Sequence, residues 1–197
     1  MGNAAVDLRM SVQEFLAWDA TQSQKHEFVG GEVFAMAGAE DRHVTASGNL
    51  YVALRQHLRG TPCRAFMSDM KLFVAAKEIF YYPDVFVTCG AADRTSPLIK
   101  SEAVFIAEVL SPSTAAYDRG AKFAAYRELP TLTEYLLVDL DTRRCDAFRK
   151  GADGLWVLHP FDAGQAVRLD SVGLDIAAEE LFAEVDLPRV QSSAQPN

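Results

Sequence analysis

Val104-Phe105-Ile106-Ala107-Glu108-Val109-Leu110 (VFIAEVL) is the stretch that decides how this chain folds. A nearly continuous apolar run of this length, closed by Ser111-Pro112-Ser113-Thr114, is what a central strand covered on both faces requires. One carboxylate, Glu108, stands inside it. A carboxylate buried in a strand is costly unless it is paired or bound to a cation. The run therefore places a strand and raises a chemical question at the same point.

Working outward, a helix is predicted from about 116 to 128, stopping before Pro130. Beyond it, Glu134 to Asp139 and Arg144 to Arg149 read as strands, and a turn at 151–154 leads into LWVLHP to complete a hairpin. A short amphipathic helix over 176–182 closes the fold, and the polar tail 188–197 is expected to be disordered. Upstream, CRAFMS, MKLFVAA and FYYPDVFVTC are three strand-like runs, and 90–101 is a polar loop. Ser11-x-x-Glu14 has the form of a capping box for a helix over about 12–19. A hairpin is predicted about Gly30-Gly31, and a longer helix over 42–59 ends at Gly60 and Pro62. The order specifies one α/β (α+β) domain over 8–187: a central mixed β-sheet flanked by helices, with additional hairpins.

Composition bounds the function. The 197 residues are 49% apolar and 23% charged, an ordinary globular balance. Neither an export leader nor an apolar segment of bilayer-spanning length is visible, so a cytoplasmic protein without membrane contact is expected. Cys63, Cys89 and Cys145 are far apart and odd in number, which predicts three reduced thiols. The net charge of −8 weighs against a non-specific nucleic-acid coat, whose affinity comes from Lys and Arg on phosphates. A nuclease with a local basic patch stays compatible with it.

A second carboxylate, Asp84 of Tyr82-Pro83-Asp84-Val85, opens an apolar run as Glu108 closes one. Two carboxylates on adjacent strands repel unless a cation lies between them. Mg²⁺ (or Mn²⁺) suits such a pair, because Mg²⁺ takes one or two carboxylates, several waters and substrate phosphate oxygens. Capping of a turn by Asp84 and ion pairing of Glu108 are the alternatives. Lys122 is a third candidate, one helical turn after Asp118; it could orient an attacking hydroxide or simply pair with Asp118. His43 could contact phosphate or act as an acid, or lie exposed at a helix start. Ser111 and Ser113 lack a nucleophile-elbow context and read as turn and cap residues.

The blocks HEFVGGEVFAMAG, Arg42-His43, CRAFMSDMKLFV, YYPDVFV and FIAEVLSPSTAAYDRGAKFAAYRELPTLTEYLLVD resemble the Uma2-type (DUF820) endonuclease family, from about Ser11 to Phe182. That resemblance implies a restriction-endonuclease-like PD-(D/E)XK core, with Asp84 and Glu108 as metal ligands and Glu27 as a further acidic residue of the site. The simplest form of the motif has lysine two residues after the acid, where this chain has Leu110. The resemblance points to Lys122, reaching the same space from the following helix. A divalent-metal-dependent endonuclease acting on DNA, as a homodimer, is the function implied. A non-catalytic nucleic-acid-binding or interaction module and a small-molecule phosphodiesterase are the alternatives that an acidic chain would suit.

Overall fold

The chain enters through β1 (Ala5–Arg9) and α1 (Val12–Asp19). The capping box forms as the sequence predicts: the Glu14 N–H donates to Ser11 Oγ, and Glu14 Oε2 accepts from the Ser11 N–H at 2.8 Å. Then β2 (His26–Val29) and β3 (Glu32–Ala35) pair as a hairpin with Val29 opposite Glu32. Its loop is Gly30-Gly31, at φ 57° and 93°. Two successive positive φ values are what a tight hairpin of this kind demands, and only glycine adopts both without strain. The computed structural model describes residues 5–186, so the tail expected to be disordered lies outside the described residues.

A long helix, α2 (Asp41–His57), leads to β4 (Arg64–Met67), β5 (Lys71–Val74), β6 (Ile79–Tyr81) and β7 (Val85–Thr88). Here the structure corrects the sequence reading. FYYPDVFVTC is not one strand but two, β6 and β7, which belong to different sheets. Pro83 sits at the break; its ring fixes φ and removes a ladder donor, so a sheet strand does not continue through it. The stretch 90–101 is likewise more than loop, since it holds α3 (Ala91–Thr95) and β8 (Ile99–Lys100).

The VFIAEVL run is β9 (Ala103–Leu110). The predicted single helix after it is a composite of α4 (Ala115–Tyr117), a π-helical turn (Asp118–Lys122) and α5 (Phe123–Tyr126). Then follow β10 (Glu134–Asp139), β11 (Arg144–Lys150) and β12 (Trp156–Phe161). The segment 176–182 is less helical than predicted. It closes a hairpin of β13 (Val167–Leu169) and β14 (Leu174–Ile176), and only Ala178–Leu181 forms α6.

The central sheet runs β12-β11-β10-β9-β7-β4, with β9 parallel to β10 and antiparallel to β7. It is mixed, as predicted. A second sheet of six strands, β1-β3-β2-β6-β5-β8, holds the N-terminal hairpin. Side chains alternate across β9. Phe105, Ala107 and Val109 face Leu50 and Leu54 of α2, while Ile106 and Leu110 face Phe123 and Tyr126 of α5. Each large apolar side chain buried this way contributes about 1.5–3 kcal/mol. Glu108 shares the α5 face by parity.

Cys63 and Cys89 are joined in a disulfide, which corrects the expectation of three free thiols. The cause is register. Arg64 pairs with Thr88 across β4 and β7, so the next residues out are cross-strand neighbours. Spacing along the sequence could not reveal that proximity. Cys145 remains free and buried. Among the described residues no helix is long and apolar enough to cross a membrane.

Candidate active site

Glu108 is only 2% exposed, and both of its carboxylate oxygens have partners. Oε1 accepts a hydrogen bond from the Tyr126 hydroxyl at 2.7 Å and lies 2.9 Å from Lys122 Nζ. Oε2 accepts from the Asp84 N–H at 3.4 Å. The pairing of Val85 with Ala107 places Asp84 across from Glu108, one step beyond the end of β7. Positions opposite one another in this way have Cβ atoms about 5 Å apart. Asp84 and Glu108 thus stand opposite one another across β7 and β9.

Asp84 Oδ2 accepts the Val109 N–H at 2.8 Å and lies 3.1 Å from His43 Nε2. His43 comes from the first turn of α2, so it is neither exposed nor merely a helix-start residue; its side chain is 18% exposed. The Ser47 hydroxyl donates to the His43 carbonyl at 2.8 Å and holds that turn.

Lys122 is brought inward by the π-helical turn. Such bulges re-aim side chains and recur at functional sites. Besides Glu108, its Nζ lies 3.6 Å from Asp118 Oδ1 and 3.8 Å from Glu27 Oε1. The ring of Tyr81 is 5.5 Å away, and its hydroxyl is hydrogen-bonded to that of Tyr117 at 2.6 Å. Glu27 arrives from β2 in the other sheet. Its carboxylate is within reach of the Lys122 charge but has no hydrogen bond to it at that distance.

Glu27, Asp84, Glu108 and Lys122 thus meet in one place, with the lysine pointing inward from the helix. Sequence reasoning passed over Asp118 and Tyr126 as members of the site. A signal was present: Asp118, Lys122 and Tyr126 recur every four residues, along one side of the helical segment.

The electrostatics of this cluster are lopsided. Four carboxylates (Glu27, Asp84, Glu108 and Asp118) surround the ammonium of Lys122. Burial alone would lower Lys122, but Glu108, Glu27, Asp118 and Asp84 together hold it well above the ordinary lysine range. Desolvation pushes Glu108 well above the usual carboxylate range, against the pull of Lys122, and Asp84 and Asp118 add to the rise. Glu27 and Asp118 are raised for the same first reason, with Lys122 opposing it. Burial would lower His43, yet its hydrogen bond to Asp84 and the charge there raise it. A single lysine does not balance the surrounding negative charge.

That surplus bears on metal binding. Among the described residues, no three or more His, Cys, Asp or Glu side chains form a ready-made cage for a metal ion. Glu108 Oε1 is turned toward Lys122 and Tyr126. Mg²⁺ does not need such a cage, because waters and substrate oxygens complete its shell. The donor set of two facing carboxylates in a region of excess negative charge fits a divalent cation.

Comparison with known proteins gives a consistent picture. Residues 12–179 match the family Uma2, described as "Putative restriction endonuclease". The uncharacterized protein slr1290 of Synechocystis sp. (strain ATCC 27184 / PCC 6803 / Kazusa) is 36% identical over 174 residues, covering 88% of this chain and 92% of the relative. Another from the same organism, the uncharacterized protein sll1609, is 35% identical over 151 residues, 76% of this chain and 85% of its own. A crystal structure described as a putative nuclease belonging to DUF820, from Anabaena variabilis ATCC 29413, superposes with a TM-score of 0.74 at 15% identity. It covers 90% of this chain and 99% of its own, a likeness of fold.

Proposed function

The chain belongs to the Uma2 family, and from that premise we propose that it is a divalent-metal-dependent endonuclease that hydrolyses DNA phosphodiester bonds. The observation that carries this reading is the facing pair Asp84 and Glu108 with Lys122 Nζ 2.9 Å from the latter. Asp84 and Glu108 are the residues that would hold Mg²⁺ or Mn²⁺, with Glu27 assisting through water. A divalent ion held there would supply polarisation of the phosphate and a hydroxide nucleophile at neutral pH.

The side chains have separable tasks. Lys122 orients the attacking water and offsets charge developing on the phosphoryl oxygens. Tyr126 donates to Glu108 Oε1 and fixes that carboxylate. A homodimer is the proposed assembly, since cutting a duplex takes one site per strand.

The net charge of −8 favours a second reading, a metal-dependent phosphodiesterase of small phosphorylated molecules or an inactive binding module. Incubating supercoiled, linear and branched DNA with Mg²⁺ or Mn²⁺ separates these. The endonuclease reading expects new ends bearing 5′-phosphate. Intact DNA of all three forms, beside hydrolysis of a small phosphodiester, would favour the second.

A further inference from the structure

Tyr117 presents an aromatic ring to solvent at the edge of the site. It is the last residue of α4, directly before the π-helical turn that carries Asp118 and Lys122. Its hydroxyl shares the 2.6 Å hydrogen bond with that of Tyr81, a residue only 1% exposed. The charges of Glu27, Lys122 and Asp118 all act on it, which sets it beside the carboxylate cluster. The residue is nevertheless 39% exposed. Tyr81 meets it nearly edge-on, at 81° with centroids 6.4 Å apart, and among the described residues no other ring lies against it. An anchored hydroxyl and an open ring make a fixed, uncharged platform, and a nucleobase of any identity can stack on such a face.

The charge around the site favours an uncharged contact. Four carboxylates surround Lys122. Arg42 and Arg119, chain neighbours of His43 and Asp118, are ion-paired to Asp141 and Asp146. Phosphates arriving here therefore meet few free cations, and stacking needs none. A base inside a duplex is already stacked, so only an unpaired one reaches the ring without a cost in unstacking.

We infer that Tyr117 is the stacking platform for an unpaired base beside the scissile phosphate, and that the DNA cut here has single-stranded character, at a branch, gap or flap. This rests on the endonuclease reading above and narrows its substrate. Tyr117 binds and orients that nucleotide and takes no part in bond cleavage.

The test is binding of the full chain, in EDTA so that nothing is cut, to a short DNA strand carrying 5-iodouracil, single or paired in a duplex. Tighter binding of the single strand is expected, with a photochemical crosslink that peptide mapping places at Tyr117. Tyr117→Phe and Tyr117→Leu both delete the hydrogen bond to Tyr81, but only the latter deletes the ring. Tyr117→Phe should bind within about twofold of the wild type, and Tyr117→Leu about 5- to 100-fold more weakly. The slope of log affinity against log salt should not change in either, since the contact removed is uncharged. Tyr117→Met replaces Tyr117→Leu should that variant not fold. A ringless variant that binds like the wild type overturns the inference, as does an equal loss in Tyr117→Phe. A wild type without preference for the single strand, or a crosslink only at other residues, overturns it too.

The two readings fail separately. A crosslink at Tyr117 with no cleavage of any DNA leaves the platform standing and removes the endonuclease. Metal-dependent cleavage of plain duplex, unchanged in Tyr117→Leu and with no crosslink at Tyr117, does the reverse.

Discussion

At Glu108, one carboxylate oxygen meets both the Tyr126 hydroxyl and the Lys122 ammonium, and every partner is buried. The three form a unit whose parts differ in what they cost to remove. Tyr126→Phe deletes one donor to a buried acceptor and should destabilise by about 1–3 kcal/mol. Chemical denaturation measures this directly, and an unchanged midpoint would count against the bond. Lys122→Met takes the ammonium from among four carboxylates, and breaking a buried pair costs about 3–5 kcal/mol. The raised carboxylates also predict a pH dependence. A carboxylate whose folded pKa exceeds its unfolded one stabilises fully below the unfolded value and loses that contribution as pH rises through the folded value. Burial raises Glu108, Glu27 and Asp118 in this sense. The metal-free protein should therefore gain thermal stability as pH falls from about 8 to about 5, and saturating Mn²⁺ should flatten that trend. A melting temperature that drops steadily on the same acidification without metal contradicts the electrostatic account.

Among the elements, the π-helical turn carries both Asp118 and Lys122, and its lysine reaches the buried Glu108 carboxylate. Gly120 lies inside it with open space where a Cβ would go and an ordinary φ. Gly120→Ala should leave the site intact and stabilise by about 0.4–1 kcal/mol through loss of unfolded-state entropy. Deleting Gly120 should instead return the segment to an α-helix and turn Lys122 away, with activity lost while circular dichroism stays close to wild type. Loss of stability in Gly120→Ala would show that the turn needs glycine for a reason its geometry does not contain. Much of this scale was legible in the sequence. The capping box, the Gly30-Gly31 hairpin and β9 follow from local rules of capping, turn conformation and burial. The break at Pro83, the π-helical turn and the β13–β14 hairpin do not, because each is settled by which sheet or helix a short segment packs against. The same limit hid the Cys63–Cys89 bridge, which depends on the register of β4 against β7, and the entry of His43, which depends on where α2 begins relative to β7. The carboxylates were legible for the opposite reason: a charge inside an apolar run is anomalous on local grounds alone.

Across the whole molecule, the acidic balance is distributed so that several arginines near the site are already paired. Arg42 is held by Asp141 and Glu40, and Arg119 by Asp146 and Asp139. Arg55, Arg59 and Arg64 differ: they line a shallow hollow at the far end of α2, and none is ion-paired among the described residues. On the endonuclease reading, each that contacts a phosphate adds about 0.9 to the slope of log affinity against log salt. Replacing all three with alanine should make that slope shallower, and an unchanged slope would place the DNA elsewhere. The disulfide is a second global feature. Bridges of this kind persist in oxidising surroundings, which sets this one against a cytoplasmic placement. Reduction should lower stability by about 2–4 kcal/mol and raise the thiols titratable after unfolding from one to three. An unaltered thiol count would mean that no bridge forms.

The most direct measurement is nicking of supercoiled plasmid by the wild type, Asp84→Asn and Glu108→Gln, each with Mg²⁺, Mn²⁺ or EDTA. The account predicts metal-dependent nicking by the wild type, abolished by EDTA and reduced about 10²- to 10³-fold in either variant. Nicking that persists in both folded variants, or that survives EDTA, would contradict it.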